Sequence, residues 1–137
     1  MAQQDEAHEP DSGGVDKRLA HHGHVSYLEI PAVDTEKSAT FYEAVFGWAV
    51  ERRANGRRSF DDGTGTLIGS WATGRTASRE PGLLPYIYVN HIDAIIERLV
   101  KKGGEVVTPP YPEGDLWVAT FRDPAGNLLG VWQAGPR

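Results

Sequence analysis

Few side chains in this sequence are spaced for covalent chemistry. The 137 residues include no cysteine, which removes thiolate nucleophiles, thiolate metal sites and disulfides, and fits a reducing, cytoplasmic compartment. No nucleophile elbow supports Ser/His/Asp catalysis. Gly63 and Gly65 lack the third glycine and the strand-to-helix context of a dinucleotide loop. His21, His22 and His24 form a small cluster, and imidazoles bind metals. Without supporting partners such a cluster makes a poor site, and it reads as the solvated end of a tail entering a strand. Arg52, Arg53, Arg57 and Arg58 flank Asn55-Gly56. They could form a basic rim that meets an anionic ligand, although an exposed hairpin cluster of this kind is more often solvated.

The bulk numbers narrow the partners. A hydrophobic fraction of 39% and a charged fraction of 24% are ordinary for a globular domain. A net charge of −5 gives no electrostatic attraction to nucleic acid or an anionic membrane. No apolar run approaches the roughly 20 residues that span a bilayer. The opening MAQQDEAHEPDSGG has no apolar core, so it is not a secretory signal. Residues 1–22 are polar and aperiodic and read as a disordered tail; residues 23–137 are expected to form one domain.

The elements follow from periodicity and turn chemistry. Residues 24–31, HVSYLEIP, read as a strand, with Val25, Tyr27 and Glu29 on one face. Asp34 is the expected cap of a helix over 34–46 that carries Phe41, Tyr42, Val45 and Phe46 on one face and stops at Gly47. Strands follow at 48–52, 57–61 and 65–72, with Asn55-Gly56 as a hairpin turn. A polar linker covers 74–82. A strand over 84–90 places Tyr86 and Tyr88 on one face. Ile92, Ile95, Ile96, Leu99 and Val100 recur at helical spacing over 91–102. Strands are expected at 105–108, 116–122 and 127–133, with 109–114 as a Pro-rich loop and Asp123 closing the turn before the last strand.

The chain repeats itself. Residues 59–72 read SFDDGTGTLIGSWA and residues 120–133 read TFRDPAGNLLGVWQ. At an offset of 61, Phe60, Asp62, Gly65, Leu67, Gly69 and Trp71 match Phe121, Asp123, Gly126, Leu128, Gly130 and Trp132. Earlier segments match at 59, Tyr27 on Tyr86 and Asp34 on Asp93, so the difference should be absorbed between helix and third strand. Each half is therefore strand–helix–strand–strand–strand, as module one (23–73) and module two (83–134).

EIPAVDTEKSATFYEAVFGW, GGEVVTPP and DPAGNLLGVWQ together resemble the glyoxalase, bleomycin-resistance and extradiol-dioxygenase (vicinal oxygen chelate) superfamily. The similarity is greatest to its branch of enzymes related to lactoylglutathione lyase. The resemblance implies an α+β fold of two βαβββ modules whose curved mixed sheet surrounds a cavity, and a homodimer. Metal-dependent members hold a divalent ion with one side chain on the first and one on the last strand of each module. Those positions fall on Tyr27, Gly69, Tyr86 and Gly130. Two phenols and two glycines are not a metal site, so no metal or other cofactor is expected.

The cavity face should then carry Tyr27, Glu29, Gly69, Trp71, Tyr86, Tyr88, Gly130 and Trp132. Paired glycines and tryptophans fit either a tryptophan packed over a neighbouring strand's glycine or an aromatic slot for a flat ligand. Glu29, if buried beside Tyr27, would suit a general base; a structural acceptor is the other reading. The expectation is a metal-free small-molecule binding protein for an apolar or aromatic ligand. The alternative is a lyase- or isomerase-type enzyme that uses Glu29 as base or a metal held elsewhere. A third is a domain whose cavity its own side chains fill.

Overall fold

The computed structural model describes residues 17–80 and 82–137. The expected tail lies mostly outside the described residues; 17–19 and 22–23 form turns. β1 (Tyr27–Pro31) leads to Asp34, whose carboxylate accepts the backbone N–H groups of Glu36 and Lys37 at 3.0 and 3.1 Å. Those donors have no partner inside a helix, so the cap starts α1 (Thr35–Phe46). α1 ends at Gly47 with φ 75°, a left-handed conformation that a side chain would resist. β2 (Ala49–Arg52), β3 (Arg58–Asp61) and β4 (Ile68–Ala72) complete module one.

Module two repeats the order with β5 (Tyr86–Tyr88), α2 (Ile92–Lys101), β6 (Glu105–Glu113), β7 (Leu116–Arg122) and β8 (Leu128–Ala134). His91 gives α2 no side-chain cap; instead the buried Gln133 of β8 accepts the Ile92 N–H at 2.7 Å. β6 runs through the stretch read as a Pro-rich loop. Its register shifts before the prolines, between Val106 and Thr108, and again across Pro109 and Pro110, which cannot donate to a ladder. Among the described residues no helix is long and apolar enough to cross a membrane.

The strands form two mixed four-stranded sheets, ordered β1-β4-β3-β2 and β5-β8-β7-β6. In each, the first strand lies parallel to the last and the remaining pairings are antiparallel. One core lies on the helix side of both sheets. Phe41, Tyr42 and Val45 of α1, Trp48, Phe60 and Trp71 of module one, and Leu99, Phe121 and Val131 of module two all belong to it. Trp48 stacks between Tyr42 and Phe60 at 4.7 and 4.4 Å, and Phe121 reaches Phe41 and Phe46 at 6.2 and 5.8 Å. Each such buried ring contributes roughly 1.5–3 kcal/mol.

A buried polar network joins the modules. Asp123 accepts the Tyr42 hydroxyl at 2.8 Å and the Asn127 amide at 2.9 Å. The same Asn127 amide donates to the Pro31 carbonyl at 2.7 Å, and its oxygen accepts the Ser78 N–H at 2.8 Å. Burial, then the adjacent Asp123 carboxylate, push the Tyr42 hydroxyl well above its usual pKa, which keeps it a donor. Beyond closing its own turn through the Ala125 and Asn127 N–H groups, Asp123 ties module two to α1.

Pairing also relocates the offset between the halves. Tyr27 and Asp61 are as far apart in sequence as Tyr86 and Thr120 (61 − 27 and 120 − 86 both give 34). Asp61 pairs with Ile68, whereas Thr120 pairs with Gly130. The extra residues of module two therefore sit in the β7–β8 hairpin, not between helix and third strand.

Candidate functional site

Side chains alternate along each strand, so one face of each sheet meets the helices and the other is open. On β1, Leu28 and Ile30 turn to the core, while Tyr27 and Glu29 turn away. The neighbouring strands add Ile68, Ser70, Ser59 and Asp61 to this open face. The Tyr27 hydroxyl donates to Ser70 Oγ at 3.0 Å and accepts from Arg57 Nη2 at 3.4 Å. Above it lies a cleft of about 700 Å³, lined by Tyr27, Asn55, Arg57, Ser59, Asp61 and Ile68 among others. Its lining is mixed: charged and polar side chains stand beside Tyr27, Val50, Phe60 and Ile68.

Glu29 does not have the burial a general base would need. Its side chain is 45% exposed and forms an ion pair with Arg75. His24 Nε2 lies 2.5 Å from the Thr66 carbonyl and is engaged with backbone.

The open face of module two is aromatic. Tyr86 pairs with Gly130 and Tyr88 with Trp132, so all four share a face, as expected. The Tyr86 ring lies over Gly130, where an added Cβ would overlap it. Tyr88 meets Trp132 edge-on at 4.8 Å. Tyr86 and Tyr88 are about half exposed. The ladder then runs from Trp132 to Val118 to Tyr111, and from Gly130 to Thr120 to Thr108. Tyr111, assigned to a loop from sequence, is therefore a wall residue. Desolvation, then Tyr86 and Glu113, push its hydroxyl above the usual pKa. Tyr86 and Tyr88 also border a second cleft of about 700 Å³ between the end of α1 and the start of α2.

Gly69 and Trp71 are not on the open face. Leu28 pairs with Gly69 and Ile30 with Trp71, so both turn to the helix side. Trp71 is 4% exposed and lies 4.9 Å from Phe60 and 5.8 Å from Tyr42. The Phe60 ring covers Gly69. The 61-residue echo is thus one residue out of step with the strand pairing, and a one-residue step exchanges faces. By pairing, the residue beside Tyr27 that corresponds to Gly130 beside Tyr86 is Ile68.

The divalent ion of metal-dependent relatives does not fit here. The four positions carry Tyr27, Ile68, Tyr86 and Gly130, and neither an aliphatic side chain nor glycine donates a ligand. Among the described residues no group of three or more His, Asp or Glu side chains converges as a ligand set.

The model of the Glyoxalase/Bleomycin resistance protein/Dioxygenase superfamily matches residues 21–131. CFP32 of Mycobacterium tuberculosis is 28% identical over 120 residues, covering 82% of this chain and 46% of that protein. The anthracycline biosynthesis protein DnrV of Streptomyces peucetius is 26% identical over 132 residues, covering 82% of this chain and 48% of that one. This chain spans about half the length of both relatives. The crystal structure of TnmS3, an antibiotic-binding protein from Streptomyces sp. CB03234, superposes with a TM-score of 0.62, covering 82% of this chain and 97% of that one. At 24% identity that likeness shows the fold alone. The family match over most of the chain settles its membership: it belongs to the glyoxalase/bleomycin resistance protein/dioxygenase superfamily.

Proposed function

We propose that the chain is a metal-free binding protein for an apolar or aromatic small molecule. The observation that carries this reading is the wall of half-exposed Tyr86 and Tyr88 with the partly buried Trp132, in which Tyr86 stands at one of the positions where a metal-using relative would place a ligand. Rings held over a glycine and against one another need little further ordering to stack on a flat ligand. DnrV and TnmS3, by their names, serve anthracycline biosynthesis and antibiotic binding, and the reading agrees with both. Glu29, half-exposed and paired with Arg75, offers poor support for a catalytic base. A second copy of the chain is the natural cover for open faces that expose Val25, Tyr27, Tyr86 and Tyr88, which makes the working form a homodimer.

A planar anthraquinone probe tests the wall. Trp132→Leu is expected to weaken its binding about tenfold, the loss of one aromatic stack. Trp71→Leu should lower stability but leave the affinity within about twofold. An unchanged affinity in Trp132→Leu sinks the reading. Stoichiometric Zn, Ni, Mn or Fe in protein purified without chelator would overturn its metal-free part.

A further inference from the structure

The hairpin arginines, which from sequence form one cluster, divide in the structure. Arg52 pairs with Glu36 and Glu43 at 2.9 and 3.1 Å, and Arg58 pairs with Glu36 at 2.8 Å. Arg53 pairs with Glu51 at 3.1 Å. Arg57 differs. Its guanidinium meets the Tyr27 hydroxyl at 3.4 Å, and it lines the module-one cleft. Two carboxylates around that cleft are ion-paired, Glu51 with Arg53 and Glu29 with Arg75, while Asp61 accepts the Gly63 N–H at 2.8 Å and keeps its charge.

The placement of Arg57 follows from local structure. Asn55 Oδ1 accepts the Arg57 N–H at 2.9 Å, and Gly56 takes φ 88°, which fixes the turn. β3 then starts at Arg58. The Tyr27 hydroxyl donates to Ser70, so its lone pairs are left to face Arg57. Tyrosine and serine thus orient a guanidinium without neutralising it. A guanidinium presents a planar fork of donors that matches an oxyanion.

We infer that the module-one cleft takes a ligand bearing an oxyanion, received by Arg57 with Tyr27 beneath it. This deepens the small-molecule reading and rests on it: the ligand has an apolar or aromatic body and an acidic end. Arg57 receives the acid, and Tyr27, Val50 and Ile68 of the same lining offer apolar surface to the body.

Paired probes of one ring system separate the two readings: 2-naphthoate and its neutral counterpart 2-naphthylmethanol. The wild-type protein is expected to prefer naphthoate about fivefold, the scale of an exposed charge pair. In 0.5 M salt that preference should shrink. Arg57→Gln should abolish it with the alcohol still bound, which also shows that the variant is folded. Arg57→Lys should retain part of it. Arg52→Gln removes a cation from the same hairpin without touching the cleft, and should keep it whole. Equal binding of the two probes by wild type, or an undiminished preference in Arg57→Gln, overturns the inference and leaves small-molecule binding intact. If neither probe binds, the binding reading fails and this inference falls with it.

Discussion

Module one keeps its aromatic rings between sheet and helix and shows a polar face to the outside. Module two keeps Phe121 in the core but turns four other rings to its open face. In module one Trp48, Phe60 and Trp71 are buried around Tyr42, and the open face carries Glu29, Ser59, Asp61 and Ser70 beside Tyr27. In module two the helix side includes Ile92, Leu99, Leu129 and Val131, and the open face carries Tyr86, Tyr88, Tyr111 and Trp132. The strand order is the same in both. What differs is one residue of register between motif and pairing partner, enough to send one tryptophan to the core and its echo to the surface. A duplicated motif can therefore supply stability in one copy and a binding wall in the other.

The longer β7–β8 hairpin is the second asymmetry, and removing its carboxylate is the strongest way to break the comparison. Asp123→Ala would leave the buried Tyr42 hydroxyl and the Asn127 amide without their shared acceptor. The expected loss is about 3 kcal/mol or more. Its echo Asp62 closes only a turn, accepting the Thr64 N–H at 3.0 Å and the Thr64 hydroxyl at 2.6 Å. Asp62→Ala should cost about 1 kcal/mol or less. Urea unfolding of both variants measures the gap; equal losses would remove the argument that module two's hairpin joins the halves.

The two strand glycines come next. A Cβ at Gly69 would overlap the Leu28 carbonyl as well as the Phe60 ring, and backbone cannot swing aside. Gly69→Ala is expected to cost about 2–3 kcal/mol. At Gly130 the nearest atoms all belong to the half-exposed Tyr86 ring. Gly130→Ala should cost under about 1 kcal/mol and should disturb ligand binding more than stability. Melting temperatures and a probe titration on the same pair would show whether the glycines divide in this way. A reversed order would mean that the faces are misassigned.

Much of this fold is legible in the sequence because its signals are local. Asp34 caps α1 and Gly47 ends it as read, and the five apolar residues of α2 recur at helical spacing. The shared face of Tyr86, Tyr88, Gly130 and Trp132 also follows from alternation. What escapes is relational. The register of β4 against β1 is set by the length of the β3–β4 hairpin, and the echo at offset 61 argues for the wrong face. Tyr111 was hidden by prolines that lie in a strand with shifted register. Tyr42 and Asp123 stand 81 residues apart, and nothing local to either announces the bond. Arg57 differs from its neighbours only through where their guanidinium groups end.

Charge gives the smallest and most specific test. In module one, hydrogen bonds from Arg52 and then Arg58 lower the Glu36 carboxyl from the usual 4.5 to about 2. Among the described residues, module two has no acid held by two arginines. A folded-state pKa below the unfolded one stabilises the protein at pH values above the unfolded pKa, and that stability is lost as pH falls toward the folded pKa. Glu36 is 48% exposed, so solvent screens the pair and the contribution stays under about 1 kcal/mol. Glu36→Gln should therefore be slightly less stable than wild type at pH 6. The gap should hold down to about 4.5, narrow between 4.5 and 2, and close below that, as read from paired urea midpoints across the range. A gap that persists undiminished at pH 2 would assign the loss to packing or to the Thr40 contact at 3.0 Å, not to charge. The network of α1, β2 and β3 would then be a steric feature of module one, and the electrical difference between the modules would reduce to Arg57 alone.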